Sequence, residues 1–200
     1  IGHVLADCGC DPTIIVGAVI PEYGSNVRLG RGGYMAVEAD EYHRSFLELS
    51  PEVAVVTSID ADHLEYYGNL DAIDEAFLTF LHLTPCYQPV VLCADDPGVQ
   101  RIMKRVRRNI VTYGFDTGAD ICASDIELEG LGSSCTVTVR GAGTYGMALH
   151  RPGRYHILNA LAALAVARNV GLPVEKVLAS LATFQGLERR FEVKGMRGGV

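Results

Sequence analysis

Two apolar runs in this chain each end in a cluster of acidic residues, and this restricts the folds open to it. The first is Y-M-A-V-E-A-D-E-Y-H-R-S-F-L, residues 34–47, and the second is V-A-V-V-T-S-I-D-A-D-H-L-E-Y-Y-G, residues 53–68. A short β-branched or apolar run bounded by polar residues is the pattern of a strand buried on both faces of a parallel sheet. In open α/β sheets, ligands bind beyond the carboxyl ends of the strands. Glu38, Asp40 and Glu41 should therefore share one rim with Asp60, Asp62 and His63. Carboxylates and an imidazole gathered there suit a hard divalent cation carrying phosphate.

The rest of the chain fits an α/β domain. Its 200 residues are enough for one domain with a sizeable core. Residues 1–10 look like the tail of a helix ending at Gly9, so the chain is expected to begin inside an element. Residues 14–20 form an apolar stretch. The glycine-rich loop at 24–33 lacks the G-K-[ST] of a phosphate cradle and is read as a turn between strands. Ile73, Phe77, Phe80 and Leu81 have the spacing of an amphipathic helix over 71–83. A strand follows at 89–94, and Asp96-Pro97 supplies a cap and a first-turn proline for the next helix. Another strand covers 110–115. From 121 to 149, alternating apolar and polar residues with glycine joints predict an antiparallel meander covering one side of the domain. Helices are expected over 153–169 and 173–184, with extended chain at 191–196.

Charge and composition exclude several classes. The net charge is -7, and Lys104, Arg105, Arg107 and Arg108 cluster at the end of an expected helix rather than along a stripe, which disfavours nucleic acid. No apolar run approaches the roughly eighteen residues of a membrane span, and no signal peptide is expected. None of the six cysteines falls in C-x-x-C spacing, so they read as reduced thiols.

Several segments occur in an order that resembles the central, ATP-binding domain of the Mur ligases. They are E-A-D-E at 38–41, S-F-L at 45–47, D-A-D-H at 60–63, D-D-P at 95–97, T-Y-G-F at 112–115, P-G-R at 152–154, L-N-A-L-A-A at 158–163 and F-Q-G-L-E-R-R-F at 184–191. The resemblance implies a mostly parallel central sheet flanked by helices, P-loop NTPase-like, with a small antiparallel meander. It assigns residues 1–192 to that domain and 193–200 to the start of a link to a further domain. It implies that Glu38 and His63 are catalytic residues binding Mg²⁺, and that Asn159 and Arg190 contact ATP. On residues alone, Glu38 reads more readily as a solvated turn carboxylate and His63 as a hydrogen-bonded loop histidine, while Asn159 reads as an ordinary helix amide and Arg190 as a surface cation.

The chain departs from the family in three places. Tyr155 and His156 stand where the family has His and Asn. No Lys occurs before Lys104, although several branches carry a carbamylated Lys near Phe77 and Leu78. No G-x-x-x-x-G-K-[ST] is present, so the isolated chain is expected to be inactive. The missing Lys points to the branch that joins L-alanine to UDP-N-acetylmuramate in the cytoplasm. The branch that attaches a recycled tripeptide, and a noncatalytic nucleotide-binding module, remain open alternatives.

Overall fold

The computed structural model describes residues 1–187. Arg190 and the expected link at 193–200 lie outside these residues. Two sheets carry the fold. The larger has six strands in spatial order β4 (Val55–Val56), β5 (Pro89–Cys93), β6 (Asn109–Gly114), β7 (Ile121–Glu129), β8 (Gly132–Val139) and β9 (Gly143–Leu149). β4 to β7 pair in parallel, and β7 to β9 pair antiparallel. Every residue of β5 is buried. Val90 and Leu92 enter one core and Val91 and Cys93 the other, as the alternation of a strand covered on both faces requires.

Helices fill both layers. On one face lie α5 (Arg154–Asn169) and α6 (Val174–Thr183), with α1 (Gly2–Asp7) against them. The alanines of α5 allow a close approach, and nine of its residues are buried. On the other face, α3 (Leu70–Leu83) and α4 (Pro97–Met103) pack over Val90 and Leu92 through Ile73, Leu81, Val99 and Ile102. Both starts follow the sequence signals. The Asn69 side chain accepts from Ala72 N–H, and the Asp96 side chain accepts from Val99 N–H with Pro97 at the first position. Among the described residues no helix is long and apolar enough to cross a membrane.

The structure amends three expectations. The strand bearing Glu38 is not in the large sheet: β3 (Met35–Val37) pairs in parallel with β1 (Thr13–Ile20), in a separate three-stranded sheet ordered β2-β1-β3. The loop at 24–33 contains a strand of its own, β2 (Ser25–Arg28), antiparallel to β1. Its remaining turn is held by the Asp11 carboxylate, which accepts from the Arg28 guanidinium at 2.7 Å and from Arg31 N–H at 2.9 Å. The meander does not cover one side of the domain. It extends the parallel sheet, because Ile121 and Cys122 pair in parallel with Tyr113 and Gly114 before the direction reverses.

Candidate cation and nucleotide site

The rim after β3 is built by backbone first. Glu38 N–H still bonds Ile15 O at 2.9 Å, so the chain follows β1 as far as that residue. Its carboxylate Oε2 accepts from Gly17 N–H at 2.6 Å. Beyond it, the Asp40 carboxylate accepts from Tyr42 N–H, and Asp40 O accepts from Phe46 N–H and the Ser45 hydroxyl. Phe46 is 2 % exposed and pins the 3-10 segment Tyr42–Glu48 to the core. Within that segment His43 and Arg44 have left-handed φ values of 53° and 59°, a conformation that non-glycine residues adopt at a cost.

The second acidic turn is fixed by a helix that begins elsewhere. Asp96 Oδ1 accepts from Val99 N–H at 2.8 Å and from Ile59 N–H at 3.1 Å, so one carboxylate caps α4 and holds the strand end leading into D-A-D-H. Gly98 completes the junction: a Cβ there would lie 1.9 Å from Ile59 O. The neighbouring Asp95 accepts from Phe115 N–H at 2.6 Å and Asp116 N–H at 3.2 Å, tying the end of β5 to the end of β6. The D-D-P segment is thus scaffolding, with each carboxylate spent on backbone donors.

His63 stands in the left-handed region, φ 56°, at the start of α2 (Leu64–Tyr67). Its Nε2 is 3.9 Å from Glu41 Oε1, and its Nδ1 is 3.8 Å from Asp62 Oδ1 and 3.6 Å from Glu65 Oε1. These separations are too long for hydrogen bonds. One ligand atom from each of Glu41, Asp62 and His63 falls within 4.8 Å of the others. Tyr67 OH donates to Glu41 O at 2.5 Å and fixes that backbone. The Tyr42 ring lies 4.8 Å from the His63 ring, and His43 stacks on Tyr42 at 4.0 Å. The two acidic turns therefore do meet, but through Glu41, Asp62 and His63. Glu38 and Asp60 are not members of this trio, and Asp60 caps its own turn at Ala61 N–H. Sequence reasoning placed Glu41 and Asp62 on the rim without singling them out, since nothing in their spacing separates them from the other four groups.

At the start of α5 the chemistry is different. Gly153 provides no side-chain cap, so donors of the first turn are left for other partners. The Arg154 guanidinium lies 4.1 Å over the Phe115 ring, and the Tyr155 ring lies 4.0 Å from that of His156. His156 Nε2 is buried and has no hydrogen-bond partner among the described residues. Burial, helped by Arg151, holds its pKa below the ordinary histidine range. Asn159 is exposed about one turn further along. A helix N-terminus with a guanidinium beside it can hold an anion.

The same architecture occurs in known proteins. Residues 21–167 match the Mur ligase middle domain. The chain is 45% identical over 197 residues to a UDP-N-acetylmuramate–L-alanine ligase of Lawsonia intracellularis, covering 98% of this chain and 43% of the relative. It is 43% identical over 199 residues to the enzyme of that name from Salinibacter ruber, covering 100% and 42%. Among solved structures, a UDP-N-acetylmuramate-alanine ligase of Thermotoga maritima superposes with a TM-score of 0.84 at 28% identity, over 98% of this chain and 44% of that one. A MurF ligase from Thermotoga maritima in complex with ADP shares the fold at a TM-score of 0.74 and 20% identity, over 98% and 48%. The chain spans less than half the length of these proteins. With the family match running from the residue after β1 through most of α5, this polypeptide belongs to the Mur ligase middle-domain family.

Proposed function

We propose that this chain is the ATP-binding central domain of a ligase that joins L-alanine to UDP-N-acetylmuramate in the cytoplasm. The observation that carries the reading is the identity of 45% to such a ligase over 98% of the chain. In this reaction ATP phosphorylates the carboxylate of the sugar nucleotide, the amine of L-alanine attacks the acyl phosphate, and phosphate leaves.

The donors on the rim suit Mg²⁺, which favours carboxylate oxygen and keeps most of its water. His63, Glu41 and Asp62 would hold one ion. Glu38, whose Oε2 takes the Gly17 N–H, retains Oε1 for another. A divalent cation there would offset phosphate charge and align the acceptor carboxylate. His63 must be neutral to bind through a ring nitrogen, and the Tyr42 ring limits its rotation. At the nucleotide end, Arg154 and the first turn of α5 would meet phosphate or ribose oxygens. Asn159, and Arg190 in the closing motif, would contact the nucleotide. His156, in place of the family's Asn, carries one donor and one acceptor on opposite sides of a ring, whereas the amide presents its donors and acceptor side by side.

The test is to express the reading frame containing these residues and measure phosphate release. Release should require ATP, Mg²⁺, UDP-N-acetylmuramate and L-alanine together. Turnover with a tripeptide but not with L-alanine would overturn the assignment.

A further inference from the structure

One groove of the molecule takes no part in the rim or in the start of α5. It has a volume of about 560 Å³ and is lined by Glu75, Leu78, Thr79 and His82 on one side and Lys104, Arg105 and Arg107 on the other. The first four recur at the spacing of a single helical face, on α3. The other three belong to the segment that leaves α4. The topology fixes where this groove lies. α3 carries the chain from the carboxyl end of β4 back to the amino end of β5, and α4 does the same between β5 and β6. The last turn of α3 and the residues after α4 therefore sit at the amino-terminal pole of the sheet, away from the strand ends that carry His63.

We propose that this groove binds the phosphate group of a small phosphorylated molecule, at a site separate from the candidate cation rim. The charges support it. In a chain of net charge -7, the groove gathers Lys104, Arg105 and Arg107 against one carboxylate, Glu75, with Arg108 next in sequence. Arg105 pairs with Glu75 and cancels it. Arg108 is spent on structure: its guanidinium donates to Thr84 O, His82 O and Arg107 O, closing the end of α3. Lys104 Nζ and the Arg107 guanidinium have no ion-pair partner among the described residues, and both side chains are exposed. The backbone sets the tautomer of the third group. Arg107 N–H donates to His82 Nε2 at 3.1 Å, so the proton of the neutral ring is on Nδ1. Burial and the two arginines lower the His82 pKa, which keeps the ring neutral and Nδ1 a donor.

Two cations and one imidazole N–H suit a phosphate group, which accepts several charge-assisted bonds at once. The volume is within the range of about 300–1,000 Å³ usual for small-ligand pockets. A nucleic acid would need cations spread along a stripe or face, whereas these are confined to one concavity.

The test is a titration of the ¹⁵N-labelled chain with pyrophosphate and with orthophosphate, followed by amide shifts. Chelator is present so that no cation recruits phosphate to the rim, and ionic strength is physiological. Saturable shifts are expected at Thr79, His82, Lys104 and Arg107, with the Asp62 and His63 amides unmoved. The double variant Lys104→Gln, Arg107→Gln should weaken binding by at least about tenfold, while Lys104→Arg with Arg107→Lys retains it. Both positions are exposed, and an unchanged urea midpoint will show that the fold is intact. Tighter binding of pyrophosphate would indicate a diphosphate ligand, and equal binding a single phosphate group; either supports the site. Absence of saturation, shifts unaffected by the double variant, or tighter binding of an acidic peptide or oligonucleotide would overturn it.

Discussion

Asp96 is the residue whose replacement tests most directly how this fold holds its candidate site. Its Oδ1 takes two backbone donors, Val99 N–H and Ile59 N–H, and these belong to residues 0 % and 4 % exposed. Asp96→Ala removes a helix cap, which costs about 1 kcal/mol. It also strands the Ile59 amide beside the core, costing a further 1–3 kcal/mol or so. The expected loss is about 2–4 kcal/mol, which at this chain length lowers Tm by roughly 5–15 °C. Asp96→Asn keeps an acceptor oxygen and should lose less than half as much. Urea denaturation gives the total. Hydrogen exchange gives the location, with protection falling at Ile59 and Val99 before it falls at Val91. Ile59 leads directly into Asp60-Ala61-Asp62-His63, so affinity for Mn²⁺, used as a spectroscopic probe, should fall although no ligand has been touched. If Asp96→Ala unfolds within about 0.5 kcal/mol of the parent, with Ile59 still protected, the reasoning fails.

Two other predictions concern histidines. His63→Ala should abolish Mn²⁺ binding measured by electron paramagnetic resonance and Glu38→Gln should weaken it, while His43→Ala, which removes only a stacked ring, should cost far less; a crippling His43→Ala with a mild His63→Ala would move the metal to the other turn. His82 and His156 both have pKa values depressed by burial, so on acidification the unfolded chain takes up protons first. Their contribution is full above about pH 6.5, the unperturbed histidine value, and is lost as pH falls through their folded values. Urea midpoints measured across this range should decline, and the double variant His82→Gln, His156→Gln should flatten the decline; an unchanged slope would show that neither ring is held neutral.

Much of this architecture was legible because local chemistry and tertiary structure agree. Asn69 and Asp96-Pro97 mark helix starts that the structure keeps, and the unbroken apolar run of β5 is buried on both faces as such runs are. The acidic rim was legible as a location. Which of its groups converge was not, because that depends on left-handed turns at His43, Arg44 and His63, and even histidine, which visits positive φ more often than most residues, does so in only a small share of cases. β2 escaped notice because Ser-Asn-Val-Arg is too polar to read as a strand, and its pairing with β1 is set by a hairpin and by Asp11 at a distance. The division into two sheets was also hidden: the run around β3 looks as apolar as β5, but strand neighbours are chosen by long-range pairing. The D-D-P segment, prominent as a motif, turned out to spend both carboxylates on backbone amides.

The change of strand direction at β7 has a consequence for how the molecule assembles. β7, β8 and β9 follow one another with only Gly130-Leu131 and residues 140–142 between them. Such hairpins close short loops and form quickly. β6 is joined to β7 by residues 115–120 alone, but β5 and β4 are each separated from the next strand by helix, α4 for β5 and α2 with α3 for β4, and parallel pairing across those crossovers pays a larger loop entropy before any contact is made. The meander is then expected to form early and to present β7 as a ready edge on which β6, β5 and β4 dock in turn. The strand ends that carry D-D-P and D-A-D-H are the last to be added. The half of the sheet that bears none of the candidate ligands would thus serve as the template, and the cation rim would come into existence only when the rest of the fold is complete.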